Sequence, residues 1–314
     1  MIIPQRRIRP PSAAAALAAG SLLACGLLAG CGQSSQSSQP KAAQPSASRA
    51  PASRASASAA QQAQHAAGRF SQPLTVSNPM FPLVVGTQFV YQGTIADSEG
   101  TKPHSVVFTV TDLWKQVYGV RTVVALDQDF REGTLQEVEL AFFAQDDAGN
   151  VWNFGEYPEE YDNGKFTGAP STWIRGTDGA YGGIHMLSQP KVGAQYREGL
   201  VPAIEFDDVS RVTRTGQATC VRAGCYRQVL VVDETSPNDP TSGHQIKYYS
   251  PRTGLVRVGA RGGDSQEFLT LTAVRHLDDA AMAKARAAAL AMDRRAYRVS
   301  KVYRVTGPAQ SRGQ

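Results

Sequence analysis

Histidine and cysteine are scarce in this chain. Five histidines (His65, His104, His185, His244 and His276) are scattered over 314 residues without ligand spacing, and four cysteines fall into two distant pairs, Cys25 with Cys31 and Cys220 with Cys225. A zinc or iron–sulfur centre needs clustered donors, so no metal is expected. Also missing are the G-x-S-x-G elbow, the H-E-x-x-H helix, the phosphate-cradling Walker loop and the Gly-rich dinucleotide fingerprint. With them go the commonest routes to nucleophilic, metallohydrolase and nucleotide chemistry. No cofactor and no catalytic residue can be named. The chain also lacks an apolar run long enough to span a bilayer convincingly. Its longest, residues 13–29, is short and rich in Ala and Gly.

That run has its own meaning. Arg6, Arg7 and Arg9 precede it with no acid, and it ends in Leu28-Ala29-Gly30-Cys31. A charged n-region, an apolar core and small residues before the cut make a signal peptide. The L-A-G-C ending resembles the lipobox of bacterial lipoproteins. The resemblance implies a thioether-linked diacylglyceryl group on Cys31, cleavage before it and acylation of the new amino terminus. Leu22-Leu23-Ala24-Cys25 has the same form but lies too early in the run. Several acyl chains exceed the one-chain threshold for stable anchoring, so membrane lipid is an expected partner. Gly32, where an Asp would retain a lipoprotein in the inner membrane, points to the outer membrane in a two-membrane organism. The expected location is therefore the cell envelope. Residues 31–77 then read as the lipidated cysteine and a Ser/Ala/Gln/Pro tether, too poor in apolar residues to offset its chain entropy.

Charge is unevenly distributed. The net +5 of the whole chain conceals an acidic core, with 17 Lys and Arg against 26 Asp and Glu between Asn78 and Asp279. Residues 280–314 carry eight basic residues and one acid. A phosphate-reading surface needs the opposite sign over the core, so nucleic acid is not an expected partner. The basic end is expected to lie across the acidic core, with anionic lipid or a partner protein as the alternative. In an exported protein Cys220 and Cys225, with four residues between them and followed by apolar alternation, are expected to face each other across a hairpin as a disulfide.

From Asn78 to His276 the chain has a strand rhythm. "QFVYQGTI", "SVVFTVTDLW", "RTVVALDQDF", "QEVELAFFAQD", "CYRQVLVVDE", "HQIKYYS", "GLVRVGAR" and "EFLTLTAV" are rich in β-branched and aromatic residues with period-2 runs. The series also repeats. "FPLVVGTQFVYQG" from Phe81 matches "QPKVGAQYREG" from Gln189, "GVRTVVALD" matches "GCYRQVLVVD", and "AFFAQDDAGNVW" matches "KYYSPRTGLVRV", at a nearly constant offset of about 105 residues. The expected fold is mainly β: an antiparallel curved sheet or open barrel made of two related units (81–154 and 189–261) with an insert at 155–188. Two units side by side cover each other's edges. Residues 277–314 form a basic C-terminal helix and tail. Asp278 is the expected N-cap, Met282, Ala285, Ala289 and Met292 share one face, and Arg294 and Arg295 fall in the last turn. "AYRVSKVYRVT" alternates as an added strand or extended strap, and the last residues are expected to be loose.

The insert is rich in Gly, acids and aromatics. Tyr157, Tyr161, Trp173 and Tyr181 mark it as a candidate mouth or lid of the domain, against the plainer reading of a decorated hairpin. Glu156, Glu159, Glu160 and Asp162 could supply the carboxylate pair of a glycoside hydrolase, but clustered loop acids are more often a solvated surface. Asp127-Gln128-Asp129 offers oxygen ligands without the spacing of a calcium loop. Gly263-Asp264-Ser265 is similar to the nucleophile motif of chymotrypsin-like proteases, but Gln266 and Glu267 stand where that family has glycine.

"NPMFPLVVGTQFVYQG", "AQDDAGNVWNFGE", "PKVGAQYREG" and "KYYSPRTGLVR" together resemble a family of uncharacterised exported bacterial proteins, many with lipoboxes. The likeness covers most of Asn78 to Arg261 and implies an exported β-rich domain without an assigned activity. Cys220 and Cys225 depart from it, since the family has a Gly-containing turn there. A looser analogy is to envelope lipoprotein carriers whose open barrels hold acyl chains. The leading functional expectation is a non-catalytic binding module for an apolar or amphiphilic ligand. The alternatives are a structural or protein-interaction component of the envelope and a hydrolase. An open apolar cavity, a filled interior or two converging carboxylates would mark the three readings in turn.

Overall fold

The structure, a computed structural model, describes residues 68–312. The signal segment, Cys31 and most of the tether lie outside them. In chain order the strands are β1 (Thr87–Asp97), β2 (Gly100–Val117), β3 (Val120–Arg131), β4 (Thr134–Gln145), β5 (Val151–Asp162) and β6 (Lys165–Gly168). Three short strands follow: β7 (Trp173–Ile174), β8 (Tyr181–Gly182) and β9 (Ile184–Met186). The second series is β10 (Gln195–Val201), β11 (Phe206–Val221), β12 (Gly224–Thr235), β13 (His244–Ser250), β14 (Gly254–Arg261) and β15 (Gln266–His276). Helix α1 (Asp279–Val299) and β16 (Gln310–Ser311) complete the chain. All eight strands read from the sequence are present.

The sheet is antiparallel, in the order β6-β5-β4-β3-β2-β1-β15-β14-β13-β12-β11-β10-β8. It is two meanders joined where β1 pairs with β15 along ten residue pairs. The path is open, but the insert ties its ends together. β9 pairs with β5 and β8 pairs with β10. Between them Gly183 accepts a hydrogen bond from Asn153 N (2.9 Å) and donates one to Glu198 O (3.0 Å). A Cβ at Gly183 would stand 2.0 Å from Arg197 O, so only glycine permits this approach. The insert thus does for β5 and β10 what β15 does for β14 and β1.

The repeat is also visible in detail. Gly86 and Gly193 both have positive φ (84° and 88°), and each donates to a strand of its own unit, Val110 O and Val212 O, at 2.9 Å. Hairpin β2–β3 turns on Tyr118 and Gly119, both with positive φ (50° and 79°). Two such residues make the type I′ turn whose twist suits a two-residue hairpin.

One apolar cluster fills the concave side. It takes Phe89, Tyr91, Phe108, Ala125 and Phe143 from the first meander and Tyr196, Val212, Leu230, Tyr249 and Leu269 from the second. Val76, Phe81 and Leu83, from the segment preceding β1, also enter it. Phe81 packs on Phe143 at 5.3 Å and on the His185 ring at 4.3 Å. A second cluster lies on the convex side of β2–β5, where Leu113, Val124, Leu140 and Phe142 meet Ala289, Met292 and Ala296 of α1, with Tyr303 beyond it. Alternate residues of β3 therefore face different cores: Val123 and Ala125 inward, Val124 and Leu126 towards the helix.

Several boundaries differ from the sequence expectation. The composition of residues 68–77 suggests tether, yet they are folded. Phe70 packs edge-on against Trp152 and Phe154, and Val76 lies in the core. β5 runs on to Asp162, so the insert proper starts later than residue 155. The alternating segment from Tyr297 is not a strand. α1 continues to Val299, placing Arg298 and not Arg294 or Arg295 in its last turn, and residues 302–305 form a 3₁₀ turn. Tyr297 and Tyr303 alternate with polar residues because both point at one buried lysine, described below. The final residues are tied down: β16 pairs with β2, and Arg312 N donates to Asp112 O. The expected cap is present, with Asp278 accepting from Ala281 N at 2.8 Å.

Among the described residues no helix is long and apolar enough to cross a membrane.

Candidate functional site

The four aromatic residues singled out in the sequence do not converge on one mouth. Tyr157 is buried in the outer core and donates to Glu159 Oε1 (2.8 Å). Tyr161, half-buried, donates to Glu159 Oε2 (2.9 Å). Trp173 is buried, stacks on Phe206 at 5.7 Å and donates its indole N–H to Glu156 Oε2 (2.9 Å). Tyr181 stands apart, in the group around Arg175. The two glutamates are neither solvated nor paired for hydrolysis. Glu156 also accepts from Asn153 (2.8 Å), and Glu159 receives Arg295 of α1 at 2.7 and 2.5 Å. They sit three residues apart on one strand, where side chains alternate between faces.

A chain of buried polar groups crosses the concave interior. His185 Nδ1 lies 2.8 Å from Glu198 Oε2, and Ser210 Oγ donates to Glu198 Oε1 at 2.5 Å. Glu234 follows, holding the Lys247 ammonium at 2.7 and 2.6 Å. Burial and the neighbouring Glu198 push the Glu234 carboxyl up to about 8. For Lys247 burial opposes the charge, but Glu234 and Glu198 outweigh it and raise its pKa. The alternation of β10–β13 makes this arrangement, because Glu198, Ser210, Glu234 and Lys247 each occupy an inward position of a different strand.

Further along the interior, His104 stands between two carboxylates, Asp129 (2.8 Å from Nε2) and Glu267 (3.1 Å from Nδ1). Gln245 donates to Glu267 at 3.0 Å. Burial alone would lower the imidazole pKa, yet Asp129 and Glu267 outweigh it and hold it at about 10. These three residues are close enough to hold a metal ion. An imidazolium with a carboxylate on each nitrogen satisfies the same geometry without one, since both ring nitrogens then donate. No local pattern marks this trio, which comes from β2, β3 and β15. Asp127, the other half of the D-Q-D motif, lies opposite Glu139 in the β3–β4 register.

On the convex side Lys115 is fully buried. Its ammonium donates to Asp293 (2.7 Å), Tyr297 OH (2.9 Å) and Gly307 O (2.6 Å) and lies 4.3 Å from the centre of the Tyr303 ring. Tyr303 OH also donates to Asp293 (2.7 Å). Burial brings Lys115 down to about 8 despite Asp293. Arg286 forks onto Asp112 with Nε 3.0 and 2.9 Å from its oxygens. The basic C-terminal segment therefore binds the acidic core of its own chain, as the charge distribution suggests.

Beside this lock Arg175 is 7% exposed and ringed by aromatics, with its Cζ 5.3 Å from Tyr118, 5.3 Å from Trp152, 5.0 Å from Phe154 and 5.5 Å from Tyr181. It lines a surface cavity of about 430 Å³ with Gln116, Tyr118, Thr177 and Val305. A second cavity, about 420 Å³, lies on the outer face of the second meander between Arg214, Tyr248, Arg257 and Phe268. At the tip of the β11–β12 hairpin Cys220 and Cys225 are registered opposite each other and joined by a disulfide.

No protein-family model matches the chain, and no curated protein matches it. Among solved structures it is similar to a Bacteroides fragilis protein described as exported and of YmcC-like fold. The two are 13% identical over 62% of this chain and 98% of that one, with a TM-score of 0.36. It is also similar to a Parabacteroides distasonis protein described as a lipoprotein, 14% identical over 65% of this chain and all of that one, with a TM-score of 0.29. At these TM-scores neither likeness bears on function.

Proposed function

We propose that this protein is an envelope lipoprotein, anchored through Cys31, whose β domain acts as a scaffold for protein contacts at its outer surface. The observation that carries this reading is the filled interior. The concave side is occupied by apolar residues of both meanders, by the chain's own Phe81 plug and by the His185–Glu198–Glu234–Lys247 chain. A carrier of acyl chains needs an apolar cavity of a few hundred Å³, and both cavities described above lie on the outer surface. In the interior Glu198, Glu234 and Glu267 are engaged by His185, Ser210, Lys247, His104 and Gln245, which favours a structural role over hydrolysis.

The test is native mass spectrometry of the full chain taken from its membrane in mild detergent, with organic extraction of whatever accompanies it. The expected mass is that of the protein plus covalent acyl groups, lost in Cys31→Ser. A stoichiometric, non-covalent apolar adduct would restore the carrier reading. Acyl groups persisting in Cys31→Ser would remove the anchor.

A further inference from the structure

Arg175 is a buried cation with no counter-ion. Among the described residues its guanidinium forms no ion pair and donates no hydrogen bond, and the charged or titratable groups that influence it are tyrosines, Tyr181 and Tyr118. Arginine stays protonated in proteins and carries five N–H donors in a rigid plane. The surrounding rings stabilise its positive charge through their faces, but a ring face does little for donors that lie in the guanidinium plane. Lys115, Arg286 and Arg295 differ, each engaging a carboxylate.

What Arg175 does have is the cavity. Its lining adds the Gln116 side chain and backbone at Gly119, Gly176 and Gly307, with the exposed Tyr118 and Val305 at the rim. Tyr118 is held there by two features. Its positive φ in the type I′ turn directs it outwards from β2, and the Cδ2–Cε2 edge of its ring lies against Gly176. A Cβ on Gly176 would come 2.4 Å from that ring.

We propose that this cavity is a binding site for an oxyanion, the carboxylate or phosphate group of a small ligand, with Arg175 as the group that receives it. A planar guanidinium matches two oxygens of either anion in parallel N–H···O bonds. The aromatic rings restrict it to that orientation, and the cavity volume leaves room for the remainder of a small molecule beside Tyr118. Burial lowers the pKa of the arginine, the direction expected where water is excluded from a cation. This site is independent of whether the domain serves as a scaffold.

Titration calorimetry on the purified full chain tests it, at constant ionic strength, with inorganic phosphate, sn-glycerol 3-phosphate and acetate as separate probes. Saturable one-to-one binding of at least one probe is expected, at least ten-fold weaker in Arg175→Lys and absent in Arg175→Gln. Tighter binding of glycerol phosphate than of phosphate assigns the site to phosphate esters, and tightest binding of acetate assigns it to carboxylates. Thermal unfolding without anion gives a readout that a purely structural arginine would fail. Arg175→Gln should melt no lower than the parent and should no longer be stabilised by the bound anion. Tyr118→Asn, which removes the rim ring at a position whose positive φ asparagine tolerates, should weaken binding several-fold. Absence of saturable binding of all three probes to the parent protein, or unchanged binding in Arg175→Gln, overturns the proposal.

Discussion

The two meanders share a strand plan but not an environment. In β4 seven consecutive residues, Val138 to Ala144, are buried. Its counterpart β13 alternates, with Gln245, Lys247 and Tyr249 inward and Ile246 and Tyr248 half-exposed. The difference is the C-terminal helix. α1 and the Tyr303 turn cover the convex face of β2–β5, whereas the corresponding face of β11–β14 meets solvent and carries Arg257 stacked over Tyr248 at 5.3 Å. A duplicated unit can thus diverge by acquiring a cover on one copy. Continuous apolar runs such as "LAFFA" mark a sheet buried on both faces, and alternation marks one buried on a single face. The covered half is locked by charge as well as by apolar packing, because Lys115, Arg286 and Arg295 link it to α1 and the tail.

The strongest way to break this contrast is to strand the buried lysine. Asp293→Ala removes the only acid bonded to Lys115 among the described residues, and loss of one partner of a buried pair costs about 3–5 kcal/mol. Urea denaturation should show that loss, while Lys115→Met combined with Asp293→Leu should recover most of it. Nearly as large is the packing effect. Phe142→Ala, under the helix, should destabilise by about 3–5 kcal/mol, whereas Tyr248→Ala on the open face of the second meander should cost under about 1 kcal/mol. Equal losses at the two sites would mean that α1 does not distinguish the halves.

A pH series sharpens the comparison in the interior. His104 has its pKa raised from 6.5 to about 10 in the folded protein. Its contribution to stability is therefore fully present below pH 6.5 and is lost as pH rises through 10. Unfolding free energies of the parent should fall across that window relative to those of His104→Gln. Parallel curves would show that the imidazolium is not held by Asp129 and Glu267.

Smaller effects are expected at the exposed end of the second meander. Replacing Cys220 and Cys225 by serine opens a short loop and should cost about 2 kcal/mol by the loop-entropy relation, read from the shift in denaturation midpoint. Smallest is Arg261→Ala, which breaks an exposed pair with Asp233. Surface pairs of this kind contribute about 0–1 kcal/mol.

Much of this architecture was legible in the chain because local patterns carry it. Period-2 runs marked the eight strands, the 105-residue offset marked the duplication, and Asp278 with the Met282–Met292 stripe marked the helix. Other elements lacked a local signature. β11 is long but largely polar, since one face is wet and it carries Arg211, Arg214 and Gln217. β8 and β9 are two and three residues long, too short for any periodicity. Tyr157 and Trp173 stand out in the sequence by their size, yet Trp173 reaches Glu156 only through the pairing of β7 with β5.

The sequence by itself determined a mainly β domain of two related units, a capped basic helix and a paired Cys220–Cys225, and it carries the lipobox resemblance on which the proposed anchor rests. These depend on neighbours within a few residues or on a repeated pattern. Only the tertiary structure decided that the insert ties the open sheet together, that the interior is filled and that His104 lies between Asp129 and Glu267. It also decided that Arg175 is left without an acid among the described residues. Each of these rests on contacts between residues tens to more than a hundred positions apart, and a buried charge is paired or unpaired only by what the fold brings beside it.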